Sequence, residues 1–504
     1  MRARLGWGIL VTALALTVFN ANLRVIRFGD TIPTRLLPFS LLVDHTFYLD
    51  RWVAPYFEEV RGPNGSYFVS RSRGHWVSKY PVIEPLLITP LYWVAARWVV
   101  HHNPPLSPGS PVMVALVDIM EKLSASLLAA LSVGVLYLAI RKRASQPVSM
   151  ILVGIYACAS ETWSISSQAL WRHGLTELSF AFFLWALLSM EDSERRLWPL
   201  WAGLALAVAA ANKPADGILA LMFVVYFWRR RRSRLGAFML SLVILGGMVL
   251  AYNLYFFGRF LGGYGHAVAA AGTMPQGTSA PEGVAGLLVS PNRGLLIYMP
   301  WTLFSFLGAA RSWKEKRADW ERYLLVGLLA IFLAQSSFGS WWGGWAFGPR
   351  YWADLMPFMT YFLLPIWPRL EISRIRQAVF VMAVSAALWV QIVGVFYYPN
   401  GWWDRDPANV ELMPKRLWDW SDCQILRSWR AGPVAPQLLD EWVVLVGSGN
   451  SSSLAIPRHD PRASGGVKSR PSTHPSADGQ SRKGEVTTAR RLPPGPFRGQ
   501  VLAW

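Results

Sequence analysis

The chain has 504 residues, with 49 Lys and Arg against 30 Asp and Glu, a net charge of +19. It is 53% hydrophobic and only 16% charged, well below the ~25% of an ordinary soluble domain, which excludes a water-soluble globule. Two cysteines, Cys158 and Cys423, exclude a disulfide framework and a Cys-rich zinc module.

The N-terminus reads Met1-Arg2-Ala3-Arg4, then runs apolar to about Leu23. That run is longer than a signal-peptide core and lacks a convincing small-x-small cleavage site, so it reads as a retained first helix. Further apolar runs of helical length fall at 119–140, 147–164, 174–190, 197–212, 216–228, 235–257, 294–310, 322–338, 353–367 and 377–398. Several are shorter than the ~20 residues that a perpendicular crossing needs. One more, 82–100, would make twelve.

The distribution of basic residues arbitrates. If 82–100 does not cross, loops 141–143, 195–196, 229–234, 311–322 and 369–376 share the cytoplasmic side and hold most of the Lys and Arg. The opposing short loops hold Arg172, Lys213, Arg259, Arg293 and Arg350. A crossing at 82–100 would reverse this bias, so that segment reads as an interfacial helix on the outer face. The expected fold is an all-α polytopic membrane protein of about eleven spans (range ten to thirteen), N-terminus cytoplasmic and C-terminus outside. Its transmembrane domain covers 1–400, including a long first outer loop, 24–118, with interfacial helices. A short outer aromatic segment, 401–446, and a disordered basic tail, 447–504, follow. No internal repeat is present.

The chemically informative residues fall on the outer side. Gly29-Asp30-Thr31, just past the first helix, leads through Pro33 and Arg35 to Pro38. A carboxylate there can deprotonate an acceptor hydroxyl as general base, or simply pair with Arg35 to cap the helix. Asp44, Asp50 and Glu84 are second-choice acids. Ser78-Lys79-Tyr80-Pro81 opens the interfacial helix, where Lys79 either snorkels to lipid headgroups or binds phosphate at a helix start.

Leu170-Trp171-Arg172-His173-Gly174 follows, with Glu177 one turn beyond His173 and placed for a buried His–Glu pair. Glu161, Glu177 and Asp216 are intramembrane acids, which mark functional positions by default because burying them is costly. Arg293 closes the outer loop 258–294. The stretch from Ser340 to Tyr351 packs Trp345 and other aromatics with glycines and Arg350, ahead of Asp354. Glycine allows close backbone approach, Trp can stack on sugar or lipid, and Arg grips phosphate bidentately. The bland alternative is an aromatic belt with Arg350 paired to Asp354.

In their order and sidedness these clusters resemble the GT-C superfamily of polytopic glycosyltransferases, particularly bacterial members akin to protein O-mannosyltransferases and lipid A aminoarabinose transferases. The resemblance extends to about residue 400. It maps the family's acid after the first helix onto Asp30, and its Lys-Pro-Pro or Tyr-Pro-Pro segment onto Lys79-Tyr80-Pro81. Two departures stand out: Asp30 is followed by Thr31 rather than a second acid, and Val82 replaces the second proline.

The resemblance implies transfer of a sugar from a polyprenyl-phosphate donor to an acceptor hydroxyl on a glycan, lipid or protein, with inversion. Asp30 would be the base, and Lys79, Arg350, Arg293 and Arg172 would bind the donor phosphate. Arg35, Tyr80, His173, Glu177, Trp345, Tyr351 and Asp354 are further site candidates. The implied location is a bacterial inner membrane, serving the cell envelope. No metal or other cofactor is firmly implied, a divalent cation bridged by Asp30 remaining open, and no nucleic acid is expected as partner. The competing readings are a transporter or flippase, or a polymerase or ligase of lipid-linked sugars. A transporter calls for inverted repeats around a midplane site, whereas here the unusual residues gather on one face.

Overall fold

In the computed structural model of the chain, residues 2–449 are described, apart from 57–67, 103–105, 194, 196, 264–278 and 400. Most of the expected disordered tail, Arg196, and the middle of the outer loop 258–294 lie outside the described residues. The first principal helices are α1 (Arg2–Asn20), α2 (Ile32–Phe39), α3 (Ile83–Ile88), α4 (Trp93–His101), α5 (Pro111–Ile140), α6 (Gln146–Cys158), α7 (His173–Asp192), α8 (Leu197–Asn212) and α9 (Gly217–Arg230). They continue with α10 (Arg232–Phe257), α11 (Ala280–Val289), α12 (Thr302–Glu315), α13 (Asp319–Ser336), α14 (Met356–Tyr361), α15 (Arg374–Ile392), α16 (Gln424–Ala431) and α17 (Gln437–Gly449). Strands β1 (Val69–Ser72) and β2 (His75–Ser78) form an antiparallel hairpin, pairing Val69 with Ser78 and Ser72 with His75.

Helix α1 has two faces. Val11, Ala15 and Phe19, four residues apart, are buried, while Leu10 and Leu14 are exposed; that spacing places the first set on one side. The buried side lies on α5, with Gly8 against Leu138 and Thr12 against Gly134. From there α5 packs on α7, α7 on α8, and α8 on α10. On α10 only Phe238 and Ser241 are buried, and Leu240, Val243, Ile244, Met248 and Leu254 are more than half exposed. An apolar face of that extent belongs against lipid.

Among the described residues, six helical segments are long and apolar enough to cross a membrane: Ala3–Asn20, Ile83–His101, Pro111–Ile140, His173–Asp192, Arg232–Phe257 and Arg374–Tyr397. The expectation was about eleven. Helices α6, α8 and α11 are apolar but shorter, and two expected spans are interrupted. Run 294–310 divides into a four-residue turn, Leu295–Tyr298, and α12, with Pro300 between them. Run 353–367 becomes a 3₁₀ turn, Arg350–Leu355, followed by α14 and further turns. Such irregular backbone survives at membrane depth only where protein surrounds it, and Arg350–Leu355 is almost wholly buried. The segment read as one interfacial helix, 82–100, meets the length criterion for a span but is broken by a 3₁₀ turn, Thr89–Tyr92, carrying Pro90.

Basic loops 141–143, 229–234 and 311–322 are linked to one another at one end of the bundle. Arg143 bonds Glu191 at 2.8 Å and Asp192 at 2.9 Å, and Lys142 bonds Asp192 at 3.1 Å. The Trp320 indole donates to Glu191 at 2.8 Å, and Arg230 approaches Asp319 at 3.8 Å. The stretch after residue 432 is not wholly irregular: α17 lies on α5, the Leu438 amide donates to the Leu23 carbonyl, and Glu441 pairs with Arg27.

Helices here touch backbone to backbone through small residues, as membrane helices do. A Cβ on Gly203 of α8 would lie 2.2 Å from the Phe238 carbonyl oxygen of α10. Gly203→Leu is therefore expected to destabilise the protein by about 1–3 kcal/mol through overpacking. A thermal-unfolding scan in detergent that finds no loss would refute this close approach.

Candidate active site

Four separate segments converge at the end of the bundle opposite the basic loops. Gly29–Thr31 is a 3₁₀ turn that carries Asp30 out of the extended stretch after α1 and into α2. The hairpin delivers Tyr80: the Lys79 amide continues its hydrogen bonding to the Phe68 carbonyl at 3.0 Å, and the Ser78 hydroxyl accepts from the Tyr80 amide at 3.0 Å. Trp171 and Arg172 precede α7, and Arg350 opens the buried 3₁₀ turn.

Asp30 joins these segments. Its Oδ1 accepts from the Tyr80 hydroxyl at 3.1 Å, and its Oδ2 accepts from the Arg350 guanidinium at 3.2 Å. The Asp30 carboxylate keeps 18% of its surface exposed, whereas Arg350 is buried. Arg350 lies over the Trp171 ring at 4.8 Å, Arg172 lies over the Tyr80 ring at 4.9 Å, and Phe28 meets Trp171 edge-on at 4.5 Å. Asp30 supplies the buried Arg350 with a counter-charge. Burial alone draws the half-buried Lys79 below its usual value.

The glycines before Arg350 are needed by shape. Gly343 sits at φ +76°, and a Cβ there would press on Cγ and Nε of Arg350 at 3.1 Å. Gly348, at φ +75°, would put a Cβ 2.6 Å from Glu161 Oε1 and from the Tyr298 ring.

Behind this group lies a second network. Arg350 and Asp354 do not pair with each other. Asp354 accepts from His173 Nδ1 at 2.8 Å and from Lys213 Nζ, and Lys213 lies over the Tyr351 ring at 5.4 Å. The expected His173–Glu177 pair is absent, because the longer-range Asp354 takes the imidazole. Glu177 accepts instead from Tyr156 at 2.8 Å and Ser166 at 2.5 Å. Asn212 fixes the Arg172 backbone by donating to its carbonyl at 2.7 Å. Lys213 was not among the sequence candidates; its signal was Asn212-Lys213-Pro214 with Asp216, charge and proline set between two apolar runs.

Other candidates are placed apart from Asp30. Arg293 is fully buried, and its five N–H groups meet five acceptors: the carbonyls of Trp342, Asn292 and Gly344, Gln424 Oε1, and Asp404 at 2.7 Å. That leaves it no donor for an incoming phosphate. Arg35 is committed to Asp118 and Glu121, at 2.9 and 2.7 Å, and does not cap α1 through Asp30. Asp44 is held by Arg51 and the Trp52 indole, and Asp50 by His75 and the Trp76 amide.

Glu84 is buried, with neither carboxylate oxygen hydrogen-bonded among the described residues. Trp345 is turned to the 401–418 segment, under Arg405 at 5.4 Å. Trp341 and Trp342 pack in a small core with Leu287, Trp403, Val410 and Leu417 instead of offering open ring faces. Among the described residues, no group of three or more His, Cys, Asp or Glu side chains is placed to hold a metal ion.

No protein-family model matches the chain, and no curated protein matches it. Similar solved structures include two of the Archaeoglobus fulgidus oligosaccharyltransferase. One is tethered by a disulfide to an acceptor peptide containing the NVT sequon: 12% identity, TM-score 0.45, over 77% of this chain and 55% of that one. The other is the apo form: 13% identity, TM-score 0.41, over 82% of this chain and 60% of that one. The chain thus spans little more than half the length of the structures it matches.

Two outcomes follow from this geometry. Arg293→Met leaves Asp404 buried beside Tyr398 without its counter-charge, so a loss of about 3–5 kcal/mol is expected. Wild-type thermal stability in that variant would contradict the assignment. Burial lifts the Glu411 carboxyl to about 7, above its unfolded value of ~4.3. Its neutral form is the one the fold favours, so this contribution is full below about pH 4.3 and is lost as pH rises through about 7. Glu411→Gln should flatten the decline in melting temperature over that window; an unchanged slope would count against it.

Proposed function

We propose that the chain is a membrane glycosyltransferase of the GT-C kind, moving a sugar from a polyprenyl-phosphate donor to an acceptor hydroxyl on the extracytoplasmic face. The observation that carries the reading is Asp30, a partly exposed carboxylate held between the Tyr80 hydroxyl and the Arg350 guanidinium. It lies at the end of the bundle away from the basic loops. The charge of those loops supports a cytoplasmic location for them and hence an extracytoplasmic Asp30 end; a bacterial inner membrane is part of the same proposal.

In this reaction the acceptor oxygen attacks the anomeric carbon, and its proton passes to Asp30. The bond from that carbon to the phosphate oxygen breaks, and the electron pair leaves with the polyprenyl phosphate. One displacement inverts the anomeric centre. The departing charge needs fixed positive groups already in place, and Arg350, Arg172 and Lys79 fill that role. Arg293, with its donors consumed, holds the outer wall instead.

The pair formed by Asp30 and Arg350 gives the steps an order. Without donor, the two groups neutralise each other. A donor phosphate arriving at Arg350 competes for the same guanidinium and releases the carboxylate to act as base. Tyr80 keeps Asp30 in position through the exchange.

Asp30→Asn is expected to lower sugar transfer by about 10²–10⁴-fold, the usual worth of a general base, with expression retained. Arg350→Lys, which loses the fork but keeps the charge, is expected chiefly to weaken donor use. The assay is turnover of a labelled polyprenyl-phosphate sugar by the purified protein without a sealed vesicle. Wild-type turnover by Asp30→Asn sinks the proposal.

A further inference from the structure

The outer segment after residue 400 holds a cleft of about 310 Å³ that the reaction above does not use. Its walls are the Trp402 ring, Ser421, Asp422, and the Leu426, Arg427, Arg430 and Ala431 side of α16. That volume is at the small end of the roughly 300–1,000 Å³ of ligand sites.

The walls are fixed before any ligand arrives. Trp429 packs at a tilt against Tyr397 at 4.7 Å and lies 5.8 Å from Trp389, which fastens α16 to the end of α15. The Arg427 guanidinium lies 4.2 Å above the Trp402 ring. It is anchored in turn to the Asp406 carbonyl at 2.6 Å, to Asp422 at 3.2 Å, and to the Asp406 carboxylate. Asp419 accepts from the Ser421 hydroxyl and amide at 2.6 and 2.8 Å and so shapes the opposite turn. A rigid wall of this kind loses little entropy on binding.

The chemistry of the walls selects a ligand class. Trp402 remains 36% exposed although Arg427 covers one side, so an indole surface is open to a flat apolar partner. Around it stand a carboxylate (Asp422), a hydroxyl (Ser421) and the exposed guanidinium of Arg430. A pyranose presents a face of C–H groups and an edge of hydroxyls, each both donor and acceptor, and it fits such a mixed rim. A phosphate fits worse: Arg427 is already neutralised by Asp406 and Asp422, and an added anion would face the Asp422 carboxylate.

We propose that this cleft is a saccharide-binding subsite, holding a neutral sugar unit of a glycan acceptor against Trp402. Calling the glycan an acceptor rests on the transfer reaction proposed above; the binding of saccharide does not. Trp345 connects the two regions of the outer face. Its indole donates to Asn409 at 3.4 Å and its ring lies under Arg405, while its own loop runs on to Arg350.

The test is equilibrium binding to the full-length protein in detergent, followed by tryptophan fluorescence and saturation-transfer NMR. The probes are neutral trisaccharides of glucose, mannose and N-acetylglucosamine, with inorganic phosphate as competitor. At least one trisaccharide should bind. Trp402→Ala should weaken it about ten-fold, the scale of one lost aromatic stack. Arg430→Glu, at an exposed position, should weaken it several-fold with an unchanged melting temperature, which guards against a misfolded Trp402 variant. Asp30→Asn should bind saccharide as the wild type does, so failure of the base assignment and failure of this subsite are read separately. No binding by any trisaccharide, wild-type binding by both cleft variants, or displacement by phosphate overturns the proposal.

Discussion

A charge removed from water needs a partner of opposite sign or hydrogen-bond acceptors, and much of the architecture of this bundle follows from that requirement. Arg24, with no acid beside it among the described residues, donates to the Val395 and Tyr398 carbonyls at 2.8 and 2.7 Å, and so ties the end of α1 to the end of α15. Arg35 gathers Asp118 and Glu121 and fixes the first long loop on α5. Arg293 binds the Gly-rich loop, Asp404 and Gln424 into one piece. In each case a buried cation settles how two distant segments meet. Apolar packing alone, which is tolerant of sliding, would not.

The same requirement separates scaffold from site. Arg293, Arg35 and Arg24 are enclosed and bonded to internal partners. The charge at Asp30 is different, because its carboxylate is partly open to solvent and its partners arrive from separate segments. The rings that line it, Tyr80 and Trp171, carry guanidinium groups on their faces.

Part of this was legible in the sequence. Asp30, Tyr80 and Arg350 each stand in a Pro- or Gly-marked motif, and the structure joins all three through Asp30. Arg293 carried the same marks, in Ser290-Pro291-Asn292-Arg293-Gly294, yet its donors are spent internally. Sequence cannot separate the two arginines, since what distinguishes them is the set of carbonyls that tertiary folding supplies. His173 shows the complementary limit: the nearby Glu177 was the natural partner at helical spacing, but Asp354, far along the chain, lies closer to the imidazole. The run 353–367 shows a third. Its hydropathy matches a span, whereas Pro349 and Pro357 and the buried ion pairs of Asp354 favour a broken path. Periodicity reports burial well and says little about continuity.

The contact between Asp30 and Arg350 also bears on a hazard of any lipid-phosphate chemistry, which is waste of the donor on water. A base that stood free would activate water whenever donor was present. Here the carboxylate is paired with Arg350, the arginine that would take the phosphate in the reaction proposed above. In that reaction its release would coincide with occupation of the site, when the lipid chain and the sugar have displaced solvent from around it. The Trp171 ring beneath Arg350 sharpens this arrangement, because it keeps the guanidinium in one plane whether the partner is carboxylate or phosphate. A lysine at that position would carry the charge but not the plane, and the exchange of one anion for the other would lose its geometry.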